Sequence, residues 1–149
     1  MEQRNRIVIP ALGALLVAIL GGAVWAAIAI QTEYEIGLLA WAIGGLAGYT
    51  VAILSRRQTN AAHRIIAVIA SLLGIFLGKY FIFGYVMNGD EITGMFSADL
   101  FSLFMDNIGE FFGAMDIVFV ILAVITAWQM PGRMQQQPEP VAPTDQRYP

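Results

Sequence analysis

The chain has 149 residues, of which 58% are hydrophobic and only 13% charged, and its mean hydropathy is +0.67. This composition is far from that of a soluble domain and is typical of a membrane protein. The formal net charge is −3 and the few basic residues adjoin apolar runs, so the basic face that nucleic acid would need is missing. The absence of cysteine excludes disulfides, thiolate chemistry and cysteine lipidation.

The first predicted element is an apolar run from Ile7 to Ile30, which follows Arg4 and Arg6. Its basic start and the sequence Ala-Ile-Ala at 27–29 resemble a cleavable signal peptide. The run is longer than the apolar core of a signal peptide, which has roughly 7–15 residues. At about 1.5 Å per residue it covers a hydrocarbon core of ~30 Å. We therefore expect a retained membrane anchor.

Three more apolar runs follow the first. Ile36 to Leu54 and Ile65 to Met87 predict a second and a third span. The last run ends at Met130 and is too short to cross a core of ~30 Å if it begins at Ile117. We therefore expect the fourth span to extend back to Phe111.

These runs predict an all-α fold, that of a polytopic membrane protein with four transmembrane helices. The chain has no room for a second domain, so residues 1–134 form one transmembrane domain. The predicted spans lie at about 7–30, 36–54, 65–87 and 111–130. The remaining segment, 135–149, is rich in proline and glutamine. It cannot bury enough apolar surface to fold, and it is predicted to be a disordered cytoplasmic tail.

The basic and acidic residues are separated in this layout. The arginines all lie on one side of it: Arg4, Arg6, Arg56, Arg57, Arg64, Arg133 and Arg147. The connections on the other side contain no Lys or Arg and carry Glu33, Glu35, Asp90, Glu91, Asp99, Asp106 and Glu110. Short loops rich in Lys and Arg stay in the cytoplasm. Both termini are therefore predicted to be cytoplasmic, with an acidic face outside.

Small residues recur at every fourth position of the first three spans. Those that we assign to helix packing are Ala14, Ala18, Gly22, Ala40, Gly44, Gly48, Ala70, Gly74 and Gly78. Residues four apart share a helix face, and small side chains let two membrane helices approach closely. The alternative is chance, since glycine and alanine are common in membrane helices. The pattern favours a closely packed bundle or an interface between copies.

The segment before the last span is predicted to be an amphipathic helix at about 93–112, on the outer side. Its polar face is acidic rather than basic, which argues against recognition of anionic lipid. One interpretation is simply a solvated acidic face. The other is a rim that attracts cations or a surface on which a partner docks.

Two ionisable residues fall within the apolar runs. Lys79 lies about 21 Å along the third span, and Asp116 lies at nearly the same depth in the fourth. Equal depth suggests an ion pair, because pairing offsets much of the cost of burying either charge. Alternatively, Lys79 extends its stem toward the outer headgroups and Asp116 caps its helix. Glu33 and Glu35 are other possible partners of Lys79.

No catalytic constellation is apparent. His63 is the single histidine and is expected to be an ordinary interfacial residue. Without a second histidine or any cysteine, a nucleophile–base pair or a nitrogen-rich metal site has little to work with. An enzyme would need an unusual carboxylate-based chemistry at the outer face. We expect no enzymatic activity, no cofactor and no metal.

Two short stretches carry a family resemblance. They are Tyr34-Glu35-Ile36-Gly37, continued by Ala40-Trp41, Ile43-Gly44 and Gly48, and the run Leu77-Gly78-Lys79-Tyr80. In these the chain resembles small multi-span bacterial membrane proteins without an assigned activity. The resemblance implies a location in the bacterial inner membrane and implies no functional residue. Small multidrug transporters differ, because they carry a carboxylate in the first span.

The sequence thus favours a non-enzymatic structural or assembly component of a membrane complex. Its expected partners are the lipid bilayer and other membrane proteins or a second copy of itself, and not nucleic acid. The alternative is a small transporter or cation-conducting oligomer served by the acidic outer face. A pore needs a polar stripe, and apart from Lys79 and Asp116 the spans offer only Tyr49, Thr50, Ser71 and Thr126.

Overall fold

The structure, a computed structural model, describes residues 2–89 and 91–136 and is helical with short connections. Its helices are α1 (Glu2–Thr32), α2 (Gly37–Leu54), α3 (Ala61–Met87), α4 (Ala98–Asp106), α5 (Ile108–Phe111) and α6 (Ala114–Gln135). Within these residues α1, α2, α3 and α6 are long and apolar enough to cross a membrane. The prediction of an all-α protein with four such helices is confirmed for the described residues.

The last spanning helix differs at both ends from the predicted range 111–130. It begins at Ala114, because Phe112 is extended and Gly113 forms the N-cap. It also continues past Pro131 to Gln135. Proline has no N–H to donate to the carbonyl four residues earlier, so one backbone hydrogen bond is missing at this point. The length that the fourth span needs is therefore supplied after Met130 rather than before Ala114.

The segment predicted as one helix at 93–112 is divided. A turn with Gly94 at φ +91° comes first, and the Ser97 side chain then accepts a bond from the Leu100 N–H at the start of α4. A second break at Asn107 separates α4 from the single turn of α5. Asp90 and the tail from residue 137 lie outside the described residues, whereas Gln135 of the predicted tail is the last residue of α6.

Helix α4 packs against the last turns of α3 through aromatic rings. Phe104 is fully buried and meets Phe76 edge-on at 5.3 Å between ring centroids, while Phe83 lies at the same distance. Tyr80 also meets Phe104 edge-on, and its hydroxyl donates to the Met95 carbonyl. These contacts attach the segment between α3 and α6 to the bundle.

The largest interfaces join α1 to α3 and α2 to α6, and both depend on glycine. A Cβ on Gly22 would lie 2.5 Å from the Gly74 carbonyl oxygen, and one on Gly44 would lie 2.5 Å from that of Ala123. Only residues without a side chain permit such approach. The small residues assigned to packing from the sequence are all buried: Ala14, Ala18, Gly22, Ala40, Gly44, Gly48, Ala70, Gly74 and Gly78.

The helices alternate in direction, so the bundle has two distinct ends. The start of α1, the α2–α3 connection and the end of α6 meet at what we call the arginine end, where Thr59 donates to the Pro131 carbonyl at 3.1 Å. The α1–α2 turn, the last turns of α3, and the segment through α4, α5 and the start of α6 form the acidic end. Trp25 is buried between the helices near the acidic end, among Ala40, Ile75 and Ala123.

Candidate functional site

The candidate site is built around Lys79, whose residue is only 2% exposed. It lies on the buried face of α3, one residue after Gly78. The Trp25 ring packs against Gly78 so closely that a Cβ there would lie 2.6 Å from the ring. Glycine at this position therefore lets α1 bring an indole alongside the lysine stem. A buried ammonium is costly unless its charge and its donors are satisfied.

Three protein oxygens lie close to the Lys79 ammonium. Nζ lies 2.6 Å from Glu35 Oε1 and 3.0 Å from Asp116 Oδ2. The third acceptor is the Phe111 carbonyl oxygen at 3.1 Å. The ammonium donates hydrogen bonds to Asp116 and to the Phe111 carbonyl and forms an ion pair with Glu35. The lysine thereby connects the α1–α2 turn, the end of α5 and the start of α6 to α3.

Glu35 reaches the lysine because the chain reverses sharply after α1. Glu33 adopts a left-handed backbone with φ +55°, which costs free energy for a residue other than glycine. The Thr32 hydroxyl supports the turn by donating to the Ile28 carbonyl at 2.7 Å, and it accepts from the Tyr34 N–H. Of the two glutamates predicted as alternative partners, only Glu35 contacts Lys79, while Glu33 is exposed.

Asp116 does two things with one oxygen atom. It is the third residue of α6, and its Oδ2 accepts from the Gly113 N–H at 2.9 Å as well as from Lys79. A carboxylate at this position accepts a hydrogen bond from a backbone N–H that the helix leaves free, and it is stabilised by the positive end of the helix dipole. The ion pair and the helix cap, posed as alternatives from the sequence, are therefore both present. The predicted pair, Lys79 with Asp116, is brought together by the structure.

Two aromatic rings surround the ammonium. Nζ lies 5.8 Å from the centroid of the Trp25 ring and 5.4 Å from that of Phe112. A cation within ~6 Å of a ring face is attracted by its quadrupole. These rings enclose the ammonium, which argues against the alternative in which Lys79 extends toward headgroup water.

The charges of the site do not balance. Two carboxylates face one ammonium, and the carboxylates lie nearer the surface, since the side chain of Glu35 is 38% exposed and that of Asp116 is 21% exposed. Of the two carboxylates, Glu35 is the more exposed. The cluster lies beside the first turns of α2 and α6, and α3 continues beyond Lys79 to Met87.

The other members of the predicted outer acidic face take no part in this cluster. Glu33, Glu91, Asp99, Asp106 and Glu110 are all exposed. Glu91 accepts from the Thr93 hydroxyl at 3.1 Å. Asp90 lies outside the described residues. Within residues 2–89 and 91–136, no three His, Cys, Asp or Glu residues are arranged to hold a metal ion.

Two contributors to the site have no clear signal in the sequence. The Phe111 carbonyl is free for Lys79 because α5 ends at that residue, and a one-turn helix cannot be recognised from periodicity. Trp25 looks like any apolar residue of the first span. Its spacing from Gly22, about one turn along α1, is the feature that could have placed it on the face packed against α3.

The arrangement holds helices together, because one side chain of α3 contacts the α1–α2 turn, the end of α5 and the start of α6. The ionisable groups that contact the ammonium are the carboxylates of Glu35 and Asp116, and its hydrogen bonds go to the Asp116 side chain and the Phe111 carbonyl. No protein-family model, curated protein or solved structure matches this chain.

Proposed function

We propose that this protein is a non-enzymatic integral membrane component that assembles with other membrane proteins. The observation that carries the proposal is the engagement of the buried Lys79 ammonium with Glu35, Asp116 and the Phe111 carbonyl. A group that binds substrate must have a donor or acceptor to offer it. Here the buried Lys79 ammonium is engaged with oxygens of the protein itself, as expected of a scaffold.

The proposed orientation places the arginine end in the cytoplasm and the acidic end outside. The asymmetry of arginine supports it, because cytoplasmic connections retain Lys and Arg. With this orientation α4 and α5 lie at the outer interface, and the amphipathic character predicted for their segment suits that position. The resemblance to small multi-span bacterial proteins supports the inner membrane as the location.

The outer segment offers a surface for a partner. Phe96 is 80% exposed and Ile92 is 74% exposed, and both lie beyond the spanning helices in the connection that precedes α4. Large apolar side chains that the rest of the protein leaves uncovered are typical of contact surfaces. Acidic residues around them would select a partner with a basic rim.

Site-specific crosslinking in whole cells tests this proposal. A photoreactive amino acid at Phe96 should yield a protein adduct of discrete mass, whereas the same group at Leu12, exposed on the first span, should react mainly with lipid. A Phe96 position that yields only lipid adducts would contradict assembly through this surface.

A transporter or cation-conducting oligomer is the second candidate, and two observations favour it. The cluster carries surplus negative charge, and deeper in the bundle the Trp25 N–H and the Ser71 hydroxyl are buried without a hydrogen-bond partner among the described residues. Such groups could contact permeating water or ions. Cation flux into proteoliposomes that falls in Glu35→Gln would support this candidate, and an absence of flux would exclude it.

A further inference from the structure

A cleft of about 650 Å³ opens at the arginine end, away from the lysine cluster. It lies between the start of α1, the end of α2 and the start of α3. Arg6 and Arg56 line it, and Ile7 and Leu54 provide apolar wall. Basic and apolar surfaces therefore meet in one concave site at the end of a bundle that can cross a membrane.

The first wall is held in place by a proline and a histidine. Pro10 lies inside α1 and has no N–H to offer the Arg6 carbonyl. His63 Nε2 donates to the Arg6 carbonyl instead, at 2.9 Å. The nitrogen must be the donor, because a carbonyl oxygen only accepts. The Asn60 N–H donates to His63 Nδ1 at 3.3 Å. The start of α1 is thus attached to the start of α3, which fixes the backbone of Arg6 at the cleft.

The second wall depends on an unusual turn. Arg56 and Arg57 have φ of +53° and +59°, a left-handed conformation that costs free energy for residues with a side chain. The turn closes α2, because the Arg57 N–H donates to the Ala52 carbonyl at 2.8 Å. Glycine is usual in such a cap. Arginine here keeps a guanidinium at the cleft despite the conformational cost.

The charge of the cleft is positive. Glu2 is the acidic residue that lines it, against the guanidiniums of Arg6 and Arg56. Within residues 2–89 and 91–136, neither guanidinium lies within salt-bridge distance of a carboxylate. Arginine binds phosphate oxygens in a planar, bidentate fashion, so a phosphate group suits the polar side of the cleft.

We propose that this cleft binds one anionic phospholipid. The phosphate contacts Arg6 and Arg56, and the start of an acyl chain lies along Ile7 and Leu54. Basic pockets between membrane helices recognise anionic headgroups in this way. A free phosphate ion would use the arginines but leave the apolar wall without a partner. The proposal needs only that the bundle lies in a bilayer, and it holds whichever function the lysine cluster serves.

Lipid binding to the detergent-purified protein, measured by native mass spectrometry, tests the proposal. Phosphatidylglycerol should bind more tightly than phosphatidylcholine of the same chains. Arg6→Gln and Arg56→Gln should each weaken phosphatidylglycerol binding about fivefold, since a basic residue near an anionic lipid surface contributes about 1 kcal/mol. Arg6→Lys and Arg56→Lys keep the charge and should retain most of the binding.

Arg133→Gln is the matched control, because Arg133 is exposed at the same end outside the cleft and bonds to Gln129. It should leave phosphatidylglycerol binding unchanged. Equal binding of the two lipids, or equal losses in all three glutamine variants, would overturn the proposal. Competition by millimolar inorganic phosphate as strong as that by phosphatidylglycerol would identify an anion site without lipid and would overturn it as well.

Discussion

Asp116 receives the Lys79 ammonium and the Gly113 N–H on the same oxygen, Oδ2, at 3.0 and 2.9 Å. The carboxylate that neutralises Lys79 therefore also caps the start of α6. Removal of Lys79 takes one partner from this carboxylate, and removal of Asp116 takes one of the three oxygen partners from the ammonium. The two losses need not be equal, because Glu35 remains beside Lys79 in the second case.

The close packing of α2 on α6 predicts that a bulky side chain destabilises the protein on one face of α2 and not on the other. Gly44→Leu should lower the free energy of unfolding in detergent by about 3 kcal/mol, the upper end for overpacked sites, because a Cβ there already meets the Ala123 backbone. Ala42 lies on the exposed side of the same helix, so Ala42→Leu is the control and should be nearly neutral. Equal losses in the two variants would show that the small-residue face is not an interface.

The proposed orientation is tested by cysteine labelling in intact cells. The chain has no cysteine of its own, so a single introduced thiol is labelled without background. Tyr34→Cys, exposed in the α1–α2 turn, should react with a membrane-impermeant maleimide, and Gln58→Cys should react only after lysis. Reaction of Gln58→Cys alone in intact cells would reverse the orientation, and reaction of both would contradict the four-span topology.

His63 and Pro10 should be energetically coupled through the Arg6 carbonyl. His63→Ala removes the donor to that carbonyl and should cost about 1–3 kcal/mol of unfolding free energy. In a Pro10→Ala background the restored backbone N–H at position 10 can bond the carbonyl instead, so the same change should cost less. Identical costs in both backgrounds would show that His63 does not act through this bond.

Phe104 should be the main residue that holds α4 against α3. Phe104→Ala should cost about 3–5 kcal/mol, the usual range for a buried phenylalanine. It should also make the connection between α3 and α6 sensitive to limited proteolysis. Leu103→Ala changes an exposed neighbour and should leave both properties unchanged. Protection of the connection in Phe104→Ala would mean that other contacts hold it.

The spanning helices were predictable because each is a long apolar run, a signal that needs no knowledge of partners. The Lys79–Asp116 contact was also suggested, since depth along a helix follows from residue count. The contact with the Phe111 carbonyl was not suggested, because that carbonyl is free only where a one-turn helix stops. The role of His63 required matching it to a carbonyl left free by Pro10, and the two residues lie on different helices.

The divided segment before α6 shows the limit of periodicity. Its apolar residues repeat as on one helix, but the chain breaks at Asn107 and is extended at Phe112. The aromatic residues of α3 at 76, 80 and 83 recur at helical spacing and face Phe104. That repeat would have indicated an extra helix packed on α3. It could not have shown where that helix ends.

The central claim is that the lysine cluster holds the bundle together, and a double-mutant cycle on Lys79 and Asp116 tests it most directly. Unfolding free energies are measured in one detergent for the wild type, Lys79→Met, Asp116→Leu and the double variant. Lys79→Met should lose about 3–5 kcal/mol, as expected when a buried ion pair loses one partner. Asp116→Leu should lose less, and the double variant should recover much of the Lys79→Met loss. Losses that simply add would contradict the claim, because each residue would then act without the other.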